Sequence, residues 1–398
     1  MTQKTRIVVI GGGYAGVMAA DRLTQDDALD VTLINPRETF VERIRLHQLV
    51  AGTDDAVVDY EEVLAGSVRR VVDAVTRIDA AGRSVTLASG GTVPYDYAIY
   101  AVGSGSAEPD VPGAAEHAYP LTSLEEAQRL RAALAAVPAP AAVTVVGAGP
   151  SGIETAAELA ESGSTVTLVC GTVLGPYLHP RVRRAVARRL ARLGVRVLDG
   201  PGATVTAVAG DRVRLADGRE LPSDVTVRTV GFRVPDLARR SGLSTDLAGR
   251  LLTDETLTSV DDPRLVAAGD AAAPSDLPFR MSCQAAGPLG AHAADTVLRR
   301  LAGETPTPVE LGFFGQCLSL GRGAGVFQYA HRDDRATPVN LGGRAGARLK
   351  EYICASIVKQ LRDEARRPGS HRWAKDATRA ERLTGRPGQA PVRAERAA

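Results

Sequence analysis

Residues 6–23 read RIVVIGGGYAGVMAADRL, and residues 143–160 read VTVVGAGPSGIETAAELA. Each is an apolar run, a glycine-rich break, and a stretch with apolar residues at helical spacing. Each then leads to a second apolar run, VTLIN at 31–35 and TVTLVC at 165–170. A continuous apolar run suits a parallel strand covered on both faces, and Val17, Ala20 and Leu23 form one helical stripe. Two βαβ units of about 30 residues each are predicted.

In the first unit Gly11-x-Gly13-x-x-Gly16 falls between strand and helix. Gly11 permits the tight turn, Gly13 lets the backbone approach a pyrophosphate, and Gly16 lets the helix pack closely on the strand. The free N–H groups and dipole at the helix N-terminus then favour a phosphate. Gly147-x-Gly149-x-x-Gly152 repeats the arrangement. The strand-end position, where an acid usually binds ribose hydroxyls, holds Asn35 in the first unit and Cys170 in the second. Asn35 can still hydrogen-bond a hydroxyl. Cys170, followed by Gly171, selects neither NADH nor NADPH, although Arg181, Arg183 and Arg184 lie downstream. Two dinucleotide folds in one chain predict two cofactors in electronic contact, and the natural pair is FAD and NAD(P)H. No metal site is expected.

Composition sets the class. The chain has 398 residues, 44% hydrophobic and 24% charged, which suits a folded globular protein of several domains and excludes disorder, collagen and coiled coil for most of it. A net charge of +2 gives no global nucleic-acid footprint, so no nucleic-acid partner is expected. Four cysteines without a close pair point to a reducing compartment. The apolar run Ile7–Ile10 stops at Gly11, unlike a signal peptide, and no run is long enough to span a membrane. A cytoplasmic location is expected.

The predicted architecture is α/β: two Rossmann-like dinucleotide-binding domains, the second inserted in the first, and a small C-terminal α+β domain. The expected boundaries are 1–112 and 233–305 for the FAD domain, 113–232 for the NAD(P)H domain, 306–366 for the C-terminal domain, and 367–398 for a tail. Between the units, 76–87 reads as an antiparallel excursion and 95–102 as another apolar strand. Further strands are expected at 194–221 (with a hairpin turn at Asp217-Gly218), 225–230 and 264–268. Residues 341–398 hold 14 basic against 6 acidic residues, and beyond 367 large apolar residues are nearly absent. That composition predicts a solvated, disordered basic arm. The helix expected at 346–365 puts Ile353, Ile357 and Leu361 on one face. Core or homodimer packing is the default there. Peripheral membrane contact is the minority reading, with Lys350, Lys359 and Arg362 facing lipid head groups.

Two further segments complete an ordered set of motifs: YDYAIYAVGS at 95–104 and LVAAGDA at 265–271, a strand ending in Gly269-Asp270. With these, residues 4–300 resemble the two-dinucleotide flavoprotein superfamily of the pyridine nucleotide–disulfide oxidoreductase type. The resemblance implies that Asp270 binds the FAD ribityl chain or pyrophosphate edge beside Gly269, and that Gly103 passes beneath the flavin. Tyr14, Ala15, Val75 (at the adenine) and Gly231 join the implied cofactor contacts.

Cysteine spacing separates the branches of that superfamily. No pair lies two or four residues apart, as a dithiol partner of flavin requires, so Cys170, Cys283, Cys317 and Cys354 read as small hydrophobes. What remains is similar to the type II NADH dehydrogenase and apoptosis-inducing-factor-like branch. FVERIRLHQLVAG at 40–52 matches its segment along the FAD. This implies a phosphate contact for Arg43, with His47 and Gln48 nearer the ring. Glu154 matches the branch's glutamate at the nicotinamide. Gln284, in SCQAAGP at 282–288, matches one glutamine of the quinone-lining motif, whose second glutamine is here Pro288. The implied activity is hydride transfer from NAD(P)H to flavin, then reduction of a quinone or quinone-like acceptor, with Glu154, Gln284 and His47 as catalytic candidates. Two alternatives stay open: a reductase of a redox-protein partner or specialised metabolite, and an apoptosis-inducing-factor-like flavoprotein with a binding role.

Overall fold

β-branched and small apolar residues fill the strand positions, and alanine-rich stripes fill the helices, so sheets become buried layers between helices. A computed structural model describes residues 4–384. Its first sheet is wholly parallel, in the order Leu265–Ala267, Tyr97–Tyr100, Thr5–Ile10, Leu29–Asn35, Arg69–Val72. Its second, also parallel, runs Ala118–Pro120, Val225–Arg228, Ala142–Val146, Thr165–Val169, Arg196–Leu198. The first sheet takes strands from both sides of the segment that builds the second, so the second unit is an insertion. The chain crosses between them through a short antiparallel ladder, Gly105–Ser106 against Phe232–Arg233.

Each unit carries an antiparallel three-stranded sheet: Val75–Asp79, Ser84–Leu87 and Thr92–Pro94 in the first, Val205–Val208, Arg212–Leu215 and Glu220–Pro222 in the second. Asp217-Gly218 turns between the last two strands, as expected from the sequence. On the first sheet, helix Tyr14–Leu23 lies against helix Cys283–Leu301. A Cβ at Gly290 would stand 2.2 Å from the Ala15 carbonyl oxygen, so glycine sets how near these helices come.

The C-terminal region is a three-stranded antiparallel sheet (Gly315–Ser319, Gly325–Ala330, Ala336–Gly342) followed by helix Gly343–Arg366. Two expectations need correction here. Lys350 does not face outward. It is buried beneath that helix, one turn before Ile353, and so inside the apolar stripe. Nor are residues 367–384 a solvated arm. The Arg379 guanidinium, buried, makes two hydrogen bonds to Glu255 (2.6 and 2.9 Å), donates to the carbonyls of Pro274 and Leu277, and lies 4.2 Å over the Phe279 ring. Trp373 Nε1 donates to Glu310 O at 2.9 Å, and Asp376 caps Thr378. Paired arginine and a single indole anchor a segment whose apolar content alone would not hold it. The rest of the expected arm, 385–398, lies outside the described residues. No helix among the described residues is long and apolar enough to cross a membrane.

Candidate active site

Both glycine turns take the predicted form. Gly11 and Gly147 sit at φ +105° and +127°, open only to glycine at low cost. A Cβ on Gly16 would lie 1.8 Å from Gly11 O, and one on Gly152 would lie 2.0 Å from Gly147 O. Gly13 and Gly149, the residues before each helix, have nothing within 4 Å of an added Cβ. In each copy the outer glycines close the turn, and the middle one leaves an open approach to helix N–H groups.

Three distant segments converge on the first turn. A Cβ on Gly11 would meet Ala101 O at 2.4 Å, and one on Gly269 would meet the Ala15 Cβ at 2.8 Å. The Ser104 hydroxyl donates to Asp270 Oδ2 at 2.7 Å, and Arg43 Nη1 lies 3.2 Å from Ser104 Oγ and 3.8 Å from Asp270 Oδ2. Arg43 is steadied from behind by Thr122 O, 3.0 Å from Nε. Asn35 Oδ1 accepts from Gly12 N at 3.0 Å, while its Nδ2 donates to Arg37 O. Asp73 N donates to Asn35 O, and Val75, two residues on from Asp73, opens the next strand. Gly231, at φ +78°, sits at the crossover between the units, its carbonyl accepting from Ala107 N. Gln48 does not reach the site: it is fully buried with its Oε1 bound by Arg45.

A single cavity of about 720 Å³ joins these parts. Tyr14, Arg43, Ser104 and Asp270 line it from the first unit, and Pro150, Ser151, Glu154 and Phe232 from the second. A largely apolar portion is walled by residues 281–284 and 286–288, by Ile353, Ile357 and Leu361, and by residues 371–374. The Gln284 amide, oriented by its neighbours, donates to Gly315 O (3.1 Å) and accepts from Phe314 N (3.0 Å).

Glu154 lies at the junction, buried. Its Oε1 is 3.0 Å from Lys350 Nζ and 2.9 Å from Ser319 N, and its Oε2 is 3.9 Å from His47 Nδ1. Burial opposes ionisation, yet the Lys350 ammonium, with the Ser319 N–H, outweighs it and holds the carboxyl below its ordinary range. Burial likewise opposes the charge on Lys350, and Glu154 outweighs it and keeps the amine protonated. Burial dominates at His47, bringing it down to about 4. The imidazole is therefore neutral, and its Nε2 is buried without a partner.

The profile of pyridine nucleotide-disulphide oxidoreductases matches residues 5–294. The chain belongs to this family. An NADH dehydrogenase-like protein of Mycobacterium tuberculosis is 31% identical over 353 residues, covering 81% of this chain and 87% of that protein. The type II NADH:quinone oxidoreductase of Mycobacterium tuberculosis is 27% identical, covering 77% of this chain and 75% of that protein. Among solved structures, the sulfide:quinone oxidoreductase of Aquifex aeolicus superposes with TM-score 0.77 at 18% identity (90% of this chain, 92% of that one). NDH2 of Plasmodium falciparum superposes with TM-score 0.76 at 15% identity (91% and 97%).

As a pyridine nucleotide-disulphide oxidoreductase, the protein is a flavin- and nicotinamide-dependent enzyme of NADH dehydrogenase type, with FAD and NAD(P)H as cofactors. The residues fit both groups. Two cradles leave open the space a pyrophosphate needs, Arg43, Ser104 and Asp270 gather at the first, and His47, whose Nε2 has no partner, lines the cavity between them. The disulphide of the family's name has no counterpart here, because all four cysteines are free. Cys283 and Cys317 line the cavity, but burial pushes the Cys283 thiol up to about 12 and raises Cys317 as well, so neither is a thiolate nucleophile near neutrality. The feature missed from the sequence is Lys350. Its place three residues before Ile353 on the apolar face was the available signal.

Proposed function

We propose that the protein is an NAD(P)H dehydrogenase that reduces a quinone-type acceptor held in the apolar portion of the cavity. The observation that carries this reading is continuity: one cavity reaches from Pro150 and Ser151, at the start of the helix after the second glycine turn, past the Arg43–Ser104–Asp270 cluster, to a largely apolar chamber suited to a flat, uncharged ring. Flavin bound there supplies hydride acceptance and onward electron transfer.

The chain's own residues then bind, orient and hold protons. The Gly147–Gly152 turn takes the nicotinamide dinucleotide's phosphates. Asp270 and Ser104, steadied by Arg43, hold the ribityl and pyrophosphate edge of FAD. Neutral His47 presents an uncharged nitrogen at the junction. Lys350 keeps a proton on Nζ at the cavity wall, and Glu154 holds it there. Gln284, pinned to the backbone at 314–315, shapes the wall on the acceptor side. Apolar lining excludes water from the reacting face, and alignment of the two nucleotides supplies much of the rate. A quinone reaches the protein from a membrane, so the reading carries peripheral contact, with the exposed row Arg344, Arg348, Tyr352 and Lys359 of the C-terminal helix as its surface.

The test is steady-state oxidation of NADH and NADPH against a panel of menadione, short-chain ubiquinone, ferricyanide, oxygen and an iron–sulphur redox protein. Turnover with the quinones is expected to exceed that with the protein acceptor. Turnover with the redox protein and none with either quinone would replace this reading by that of a redox-partner reductase.

A further inference from the structure

The cavity has a polar atom that the reaction above does not use. His371 lies in the segment after the long helix, is 8% exposed, and lines the cavity. Its Nε2 is buried with no hydrogen-bond partner. A Cβ added at Gly287, itself on the cavity wall, would lie 3.7 Å from that nitrogen, in ordinary contact.

The ring is held in place by a dedicated anchor. The Glu364 carboxylate, wholly buried, accepts from the backbone N–H of Gly369 (2.7 Å) and of His371 (2.6 Å) and from the Ser370 hydroxyl (3.2 Å). Arg22 Nη1 neutralises that carboxylate at 3.1 Å, and Asp295 holds Arg22 in turn, with Nε–Oδ1 at 2.6 Å. The Trp373 indole stacks on the imidazole at 5.8 Å and 25°, and Arg22 covers the indole. Two acids, an arginine and a tryptophan thus fix one turn of chain. The imidazole of that turn lines the cavity and carries an unsatisfied nitrogen beside Gly287, and a buried unpaired polar atom is costly unless a ligand completes it.

We propose that His371 is the polar anchor of the acceptor chamber, its Nε2 hydrogen-bonding a ring oxygen of a small quinone seated between Gly287 and the Ile353–Ile357–Leu361 face. The inference rests on the acceptor reading above and adds the residue that orients the acceptor. Burial lowers the basicity of the imidazole and keeps it neutral, which suits an uncharged ring. A neutral imidazole can donate to a quinone carbonyl or accept from the hydroxyl of the reduced product, according to tautomer.

The experiment uses the FAD-loaded full chain. His371→Ala is expected to raise KM for menadione and short-chain ubiquinone about tenfold, the worth of one hydrogen bond to a buried partner. The ferricyanide rate, anaerobic flavin reduction by NADH and FAD content are expected to stay at wild-type values. His371→Asn, which keeps an N–H, is expected to recover part of the quinone KM. Gly287→Ala, which sets a methyl group against Nε2 without removing it, is expected to raise the same KM selectively, and it decides the matter should His371→Ala fail to fold. An unchanged quinone KM in these variants overturns the role of His371 alone. So does an equal fall with ferricyanide, which marks a structural effect. A wild-type enzyme that reduces ferricyanide but no quinone overturns the acceptor reading and this inference with it.

Discussion

The two dinucleotide cradles share a turn and differ in what clamps it. In the first, the Gly12 N–H is bound by Asn35 and the Gly12 carbonyl by the Tyr60 hydroxyl at 2.7 Å, and a Cβ there would strike the Tyr60 oxygen. Arg43, Ser104 and Asp270, from three separate segments, are bonded to one another on the same side of the first unit. The second has Ala148 at the matching place, and the Cys170 thiol at the strand end makes only a long contact, 3.9 Å to Leu168 O, with nothing from the turn. Its strongest tie runs outward, from Glu154 to Lys350 and Ser319 of the C-terminal region. A turn locked on several sides suits a cofactor that stays through every cycle. A turn left open suits one that must enter and leave.

The sharpest way to break this contrast is a crossed pair of variants. Gly149→Trp fills the open approach of the second cradle only, so NAD(P)H oxidation should fall at least about a hundredfold while the protein stays yellow. Asp270→Ala should do the reverse, with visible flavin absorbance per protein falling about tenfold or more after gel filtration. Flavin loss in the first variant, or full flavin in the second, would merge the two sites into one. Next in size, Lys350→Met leaves the Glu154 carboxylate buried without its counter-charge. Denaturant unfolding should show a loss of about 3–5 kcal/mol, and adding Glu154→Gln should recover much of it. No recovery would mean that the pair is not what ties the second unit to the C-terminal region. Smallest, Tyr60→Phe removes one buried hydrogen bond from the clamped turn. It should cost about 1–2 kcal/mol of stability and release FAD a few-fold faster, without moving KM for NADH. A shift in that KM instead would show that the clamp serves both sites.

How much could be read from the sequence follows from the range of each interaction. The glycine turns, the flanking strands and the Asp217-Gly218 hairpin were legible because each rests on residues within a few positions of one another. The grouping of Asp270, Gly103 and Arg43 was legible only through resemblance, since three distant segments supply it. Lys350 was misjudged because a lysine amid surface charges reads as solvated, whereas its helical phase with Ile353 turns it toward a carboxylate from another unit. The stretch 367–384 was misjudged because composition counts apolar residues and misses an arginine that satisfies two carbonyls, a carboxylate and an aromatic face at once. His371 carried no signal at all, because its place depends on Glu364, Arg22 and Trp373 together.

The most direct measurement is an anaerobic titration of the purified protein with NADH, followed in the visible spectrum. If two nucleotides face one another across one cavity, the flavin bleaches at about one equivalent of NADH or NADPH per flavin, and Gly149→Trp abolishes the bleaching while the oxidised spectrum remains. A protein that binds FAD but stays oxidised under excess of both nicotinamides would contradict the paired-cradle arrangement.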